Sequence, residues 1–183
     1  MRPMTDHIEI NLLNWEERAA IHAQDTTGDY MLARFRAGED SLYAIEASEI
    51  GDISGKRVLH LQCHIGRDTL CLARRGATVT GLDFSKTALD VARRLSEETG
   101  LKAHFVEGTV DLAPDLTPGP FDLVFTTLGY YLLATRHGDL GESHRVRAGT
   151  GGRALLCRCP SSIQCVGGLQ RKTSADIRFP DAC

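Results

Sequence analysis

The stretch RVLHLQCHIGRDTLCLARRGATVTGLD, residues 57–83, decides the fold. Val58, Leu59 and Leu61 make a short apolar run that ends in a turn containing Gly66. A helix follows: Asp68 and Thr69 open it, Leu70, Leu72 and Ala73 form its apolar face, and Gly76 ends it. Ala77 to Leu82 reads as a second strand, with Asp83 at its carboxyl end. This is one βαβ unit with an acid at the tip of its second strand. In open parallel sheets, ligands bind at the carboxyl ends of the strands. The first turn receives the polar part of a nucleotide-like ligand, and an acid about 20 residues on accepts hydrogen bonds from ribose hydroxyls. Asp83 lies 17 residues after Gly66 and 21 after Gln62, which fits.

The glycine fingerprint of dinucleotide sites is missing. Gln62 and His64 stand where two early glycines would be, so a pyrophosphate has no close approach to the backbone. A ligand with a ribose but no phosphates fits better, and S-adenosylmethionine (SAM) is the common one. A nicotinamide-dependent oxidoreductase is the disfavoured alternative.

The resemblance then becomes specific. LHLQCHIGRDTL (59–70) and RRGATVTGLDFS (74–85) resemble bacterial class I SAM-dependent methyltransferases, one subgroup of which carries Leu-His-Leu-Gln-Cys-His in place of the usual glycine-rich loop. FDLVFTTLG (121–129) resembles the fourth strand of that family, and NWEER (14–18) its N-terminal helix. The likeness covers roughly residues 10–132. It implies a Rossmann-like α/β fold, a doubly wound and mostly parallel sheet with strand order 3-2-1-4. The N-terminal helices would pack over the carboxyl edge. It also implies transfer of a methyl group from SAM to a small-molecule acceptor whose identity, and whose N, O, S or C chemistry, the sequence leaves open. No general base stands out.

The candidate cofactor residues are Gln62, Cys63, His64, Gly66, Asp83, Phe84, Thr109, Val110 and Thr126. Asp83 is the strongest, because an acid ending a buried strand is costly without a partner. Gly66 is expected to bring the backbone close to the ligand. His64 either bonds a ligand carboxylate or caps the turn. Phe84 packs on an adenine or in the core, and His60 is equally a core imidazole or a site residue. The resemblance implies an acid after the third strand to contact the adenine amine. Thr109 stands there instead, followed by Val110, with Asp111 as a nearby substitute. Thr126, Thr127, Leu128 and Gly129 end the fourth strand beside the expected methyl position. Tyr130 and Tyr131 stack on substrate or pack in the core. Trp15, His22 and Tyr30 belong to a segment that, by resemblance, covers the site.

Apolar content of 42% and charged content of 25% are those of an ordinary globular domain, and a net charge of −3 gives no reason to expect nucleic-acid binding. No apolar run is long enough to span a membrane, and the N-terminus lacks the apolar core of a signal peptide, so a cytoplasmic location is expected. Cys157, Cys159 and Cys165 lack the spacing of a zinc knuckle, so no metal site is expected; Cys63 and Cys71 read as small buried residues. Nothing sets the oligomeric state.

Outside the βαβ unit, Asn14 and Glu17 suggest a capping box for a helix running to about Ala23. Met31 to Arg36 and Leu42 to Glu49 read as short helices, the second opened by Ser41. Ser85 caps a helix whose stripe is Ala88, Val91, Ala92 and Leu95, ended by Gly100. Ala103 to Val106 and Phe121 to Thr127 are the third and fourth strands, joined by a loop over Pro114 to Pro120. The expected organisation is an N-terminal cap (1–55), a SAM-binding core (56–132) and an aberrant tail (133–183). Residues 1–132 carry 13 Lys+Arg against 20 Asp+Glu, whereas 133–183 carry 8 against 4, so the charge balance reverses at the boundary. The tail holds four of the six cysteines, and only Ala154 to Cys157 reads as a strand. A one-base shift would let its codons spell Trp at both Leu133 and Leu140, then Pro-Gly-Gly and Asp-Ala-His-Pro in the family's order. An out-of-frame or truncated tail is therefore expected, leaving the sheet incomplete beyond the fourth strand and the chain a poor catalyst.

Overall fold

The computed structural model describes residues 6–127 and 148–156. The elements are α1 (Asp6–His22), α2 (Leu32–Arg36), α3 (Ala44–Ile50), β1 (Arg57–Leu61), α4 (Arg67–Arg74), β2 (Thr78–Asp83), α5 (Lys86–Thr99), β3 (His104–Glu107), a 3₁₀ turn (Val110–Leu112), α6 (Ala113–Leu116), β4 (Phe121–Thr126) and β5 (Ala148–Leu156). The strands form one sheet in the order β3-β2-β1-β4-β5, and every pairing is parallel.

β1 is central, as its residues require. Val58, Leu59, His60 and Leu61 are all buried, which is the signature of a parallel strand covered on both faces. Val58 joins a core that includes Leu70 and Leu72 of α4, Leu89 and Leu95 of α5, and Leu32, Phe35 and Ile53 of the N-terminal segment. Leu59 and Leu61 join a second cluster on the other face, with Leu82, Val124, Phe121 and Ala113. His60 belongs to this packing. Its Nδ1 lies 2.8 Å from Thr69 Oγ1, its ring is 4.9 Å from that of Phe125, and burial pushes its pKa down to about 3. It is a neutral core imidazole.

α5 forms as its sequence dictates. Ser85 Oγ accepts the Ala88 N–H at 3.1 Å, Gly100 takes the left-handed conformation at the far end, and Ala88, Val91, Ala92 and Leu95 are buried. A serine cap of this kind stabilises by about 1 kcal/mol.

The N-terminal helices differ from expectation in where they start. α1 begins at Asp6, so Asn14 lies mid-helix, its Oδ1 accepting from Arg18 Nε at 3.1 Å instead of capping. α3 is capped at Tyr43, whose backbone N–H reaches Glu46 Oε2, while Ser41 is buried with its Oγ 3.3 Å from Cys71 Sγ. α6 takes up the first part of the loop expected over Pro114 to Pro120, and the 3₁₀ turn precedes it. Arg74 ties the segment to the core: Nη2 donates to Phe35 O at 2.9 Å, and the guanidinium sits 4.3 Å above the Phe35 ring.

The outer edge of β4, expected to be bare, is paired with β5, which runs longer than the Ala154–Cys157 strand read from the sequence. The remainder of the tail, including the four late cysteines, lies outside the described residues, as do Leu128, Gly129, Tyr130 and Tyr131. No helix among the described residues is long and apolar enough to cross a membrane.

Candidate functional site

The turn after β1 carries the unusual backbone. Gln62 and His64 both have positive φ, +54° and +51°, in the left-handed region that normally favours glycine. Each costs on the order of 1–3 kcal/mol, and such strain persists only where the surroundings enforce it. The conformation of a glycine loop is thus kept without its glycines. The enforcing contacts are made by two backbone N–H groups: Cys63 N–H donates to Leu82 O at 3.0 Å, and His64 N–H donates to the side-chain Asp83 Oδ2 at 2.8 Å.

Asp83 holds this turn and the next together. Its Oδ1 accepts the Ser85 N–H at 2.9 Å. Burial pushes its pKa up to about 6, against the N–H groups of Ser85, His64 and Phe84, which favour the charged form. Each carboxylate oxygen has a further acceptor position, and Asp83 lines a cavity of about 570 Å³ at the carboxyl ends of β1, β2 and β4.

Six of the nine candidates line this cavity: Gln62, Cys63, His64, Asp83, Phe84 and Thr126. Gln62 Oε1 and Thr126 Oγ1 are buried without a hydrogen-bond partner among the described residues. Cys63 is a packing residue; burial pushes its thiol well up, so it stays protonated, and its sulfur fills the space above Gly81, where a Cβ would come within 2.9 Å.

Three candidates are placed elsewhere. Gly66 has φ +74° and its missing Cβ faces the protein, 2.5 Å from Ala92 Cβ and 3.0 Å from the Phe105 ring. Its N–H is spent on Cys63 O at 2.9 Å. Close packing of the turn on α5 and β3 requires the glycine, which is not among the residues lining the cavity. Thr109 caps the 3₁₀ turn, and Val110 packs on the second core cluster. Neither lines the cavity, and Asp111 is exposed and also outside the lining.

The N-terminal segment supplies the rest of the wall. Trp15, His22 and Tyr30 form an aromatic cluster with His64: His22 stacks on Tyr30 at 4.5 Å, and Trp15 meets His64 edge-on at 5.3 Å. His22 Nδ1 lies 2.6 Å from Tyr30 Oη and 2.9 Å from His64 Nε2. Burial lowers both imidazoles, His64 to about 3, and raises Tyr30 to about 12, so all three are neutral near pH 7. Further round, Tyr43 and Glu46 of the α3 start meet Arg67 and Asp68 of α4. Sequence reading missed Glu46, Arg67 and Asp68 as wall residues. Glu46 had a signal, three residues after the helix start, but that signal describes a cap and not a cavity.

A parallel sheet with its cavity at the carboxyl ends, an acid at the tip of β2 and a strained turn after β1 define a nucleoside-binding α/β fold. Residues 58–151, just over half of the chain, match the family described as "Methyltransferase domain". The chain belongs to that family, the class I SAM-dependent methyltransferases. It is similar to the demethylmenaquinone methyltransferase of Thermus thermophilus, 38% identical over 62% of this chain and 52% of the relative. It is also similar to the ubiquinone biosynthesis O-methyltransferase of Vibrio cholerae, 43% identical over 38% of this chain and 29% of the relative. The chain therefore spans about half the length of these curated relatives, or less. Among solved structures, the DhpI–SAH complex superposes with a TM-score of 0.59 at 28% identity, covering 84% of this chain and 71% of that one.

Proposed function

We propose that the chain binds SAM in the 570 Å³ cavity and transfers its methyl group to a small-molecule acceptor. The observation that carries this is the buried Asp83 carboxylate, with acceptor capacity left over, beside the partnerless Gln62 Oε1 and Thr126 Oγ1. Buried polar atoms without partners call for a ligand or water. A nucleoside with two ribose hydroxyls suits Asp83, and the turn offers no glycine-lined bed for a pyrophosphate. Gln62, Cys63, His64, Phe84 and Thr126 would complete the cofactor wall. Residues 1–55 would serve as its cap and 56–132 as its core.

When bound, the cofactor supplies a methyl group on a sulfonium. The protein's part is to hold the acceptor in line and to keep water out. Trp15, Tyr30 and Phe84 give the cavity aromatic surface for a flat acceptor. For an acceptor that loses a proton, neutral His22 is placed to receive it, with Tyr30 and His64 fixing its ring. The relatives' names concern quinone biosynthesis, which is compatible with an aromatic acceptor.

Calorimetric titration with S-adenosylhomocysteine (SAH) and with NAD tests the reading. SAH is expected to bind in the micromolar range or tighter and NAD not to bind measurably. The reverse preference would make the chain a nicotinamide-binding protein.

A further inference from the structure

Three ionisable side chains meet at the cavity wall away from the Asp83 turn: Glu46 of α3 with Arg67 and Asp68 of α4. Glu46 is fully buried, at 0% exposure. Its Oε2 accepts the Tyr43 N–H at 3.4 Å, while Oε1 has no partner among the described residues. The helix cap thus uses one oxygen and leaves the other in a cavity-lining side chain.

Arg67 does not satisfy it. The guanidinium donates to Ser41 O, lies 2.5 Å from Asp68 Oδ1 and sits 5.8 Å over the Tyr43 ring. Asp40, the next acid along, pairs with Arg75 at 2.6 Å. Among the described residues, two buried carboxyl groups therefore share one guanidinium that is already committed, and the wall is one cation short. Burial first, then the charge of Asp68, pushes Glu46 up to about 7, with Arg67 acting the other way.

We propose that Glu46, backed by Asp68, forms a subsite for a protonated primary amine. Such a group donates to Glu46 Oε1, supplies the missing positive charge, and favours the ionised carboxylate. The amine comes either from the amino-acid end of the cofactor or from an acceptor bearing an amino group. The proposal rests on the cavity being the cofactor site, and its test separates the two.

The first measurement needs no variant. SAH and 5′-methylthioadenosine, which shares the nucleoside but has no aliphatic, protonated amine, are titrated into the whole chain at pH 7 in phosphate and in Tris. Heats that differ between buffers report protons released. SAH is expected to release about half a proton more than methylthioadenosine, because Glu46 ionises on meeting the amine. Second, Glu46→Gln is titrated with both. A loss of about tenfold or more for SAH, with methylthioadenosine within about twofold, places the cofactor's amine at Glu46. If Glu46→Gln leaves SAH unchanged, SAH-saturated protein is titrated with n-butylamine by ligand-detected NMR. Binding in the wild type that disappears in Glu46→Gln assigns the subsite to an amine acceptor. Equal proton release for the two nucleosides together with no Glu46-dependent binding of n-butylamine overturns the proposal. If neither nucleoside binds the wild type, the cofactor reading fails instead, and n-butylamine titrated into the free protein still decides the subsite: Glu46-dependent binding supports it and none refutes it.

Discussion

Asp83→Ala is expected to weaken SAH binding by about 1.5–3 kcal/mol, roughly tenfold to more than a hundredfold, the range for a lost hydrogen bond to a charged group. The carboxylate is to accept from ribose while already receiving His64 N–H and Ser85 N–H. Its removal therefore also leaves two backbone donors short of an acceptor and loosens the left-handed turn. Calorimetry on folded variant protein separates the effects, and unchanged affinity would take Asp83 out of the site. The wild type offers a second reading of the same group. Burial holds the Asp83 carboxyl at about 6, and ribose hydroxyls favour the charged acceptor, so affinity for 5′-methylthioadenosine, which carries the ribose but does not engage Glu46, is expected to rise from pH 5 to pH 7 and then level off. Stability responds in the opposite direction. The folded pKa exceeds the ordinary value of 3.8, so the protonated acid favours the folded state below about pH 4. That contribution is lost as pH rises through 6.

Gly66→Ala should produce the largest loss of stability among single-methyl substitutions in the turn. A side chain at φ +74° costs about 1–2 kcal/mol, and the new Cβ would sit 2.5 Å from Ala92 Cβ and 3.0 Å from the Phe105 ring. Overpacking of this kind adds about 1–3 kcal/mol. Chemical denaturation should show a fall of about 2–5 kcal/mol in all. SAH affinity, measured where the variant is still folded, should stay within about twofold, since the methyl group would point at α5 and β3. Loss of affinity with intact stability would restore Gly66 to the ligand side.

The pair of predictions shows where the sequence was legible. A βαβ unit advertises itself through buried strand residues, a helix end and an acid at a strand tip, and all of these depend on neighbours in the chain. Asp83, Gln62 and His64 came out of that pattern, Thr126 came from the resemblance of residues 121–129 to the family's fourth strand, and all four line one cavity. Gly66 came out of the βαβ pattern too, and the structure adds a packing reason for it. A glycine's need for space has the same sequence signature whether a ligand or Ala92 occupies that space. Thr109 and Val110 were placed by register after the third strand, where β3 ends at Glu107 and a 3₁₀ turn begins at Val110. The far wall was not legible at all. Glu46, Arg67 and Asp68 meet because α3 packs beside α4, and no local spacing announces a contact between separate helices. Asn14 failed for a related reason, since its capping signature was overridden by a helix that continues upstream to Asp6.

The boundary read near residue 132 stands apart. The family match continues to residue 151, and β5 pairs in parallel with β4. We propose that the chain beyond the fourth strand is nevertheless an out-of-frame continuation, on the strength of the reversed charge and late cysteines. Codons at Leu133 and Leu140 that forbid Trp in the shifted frame would end that proposal.

We propose the cavity at the carboxyl ends of β1, β2 and β4 as the cofactor site, and a crystal structure of the chain grown with SAH decides it. Both ribose hydroxyls are expected on the Asp83 carboxylate, with the thioether toward Thr126 and the Trp15–His22–Tyr30 cluster. SAH bound elsewhere, or density for the nucleoside with Asp83 facing away from it, would rule this site out.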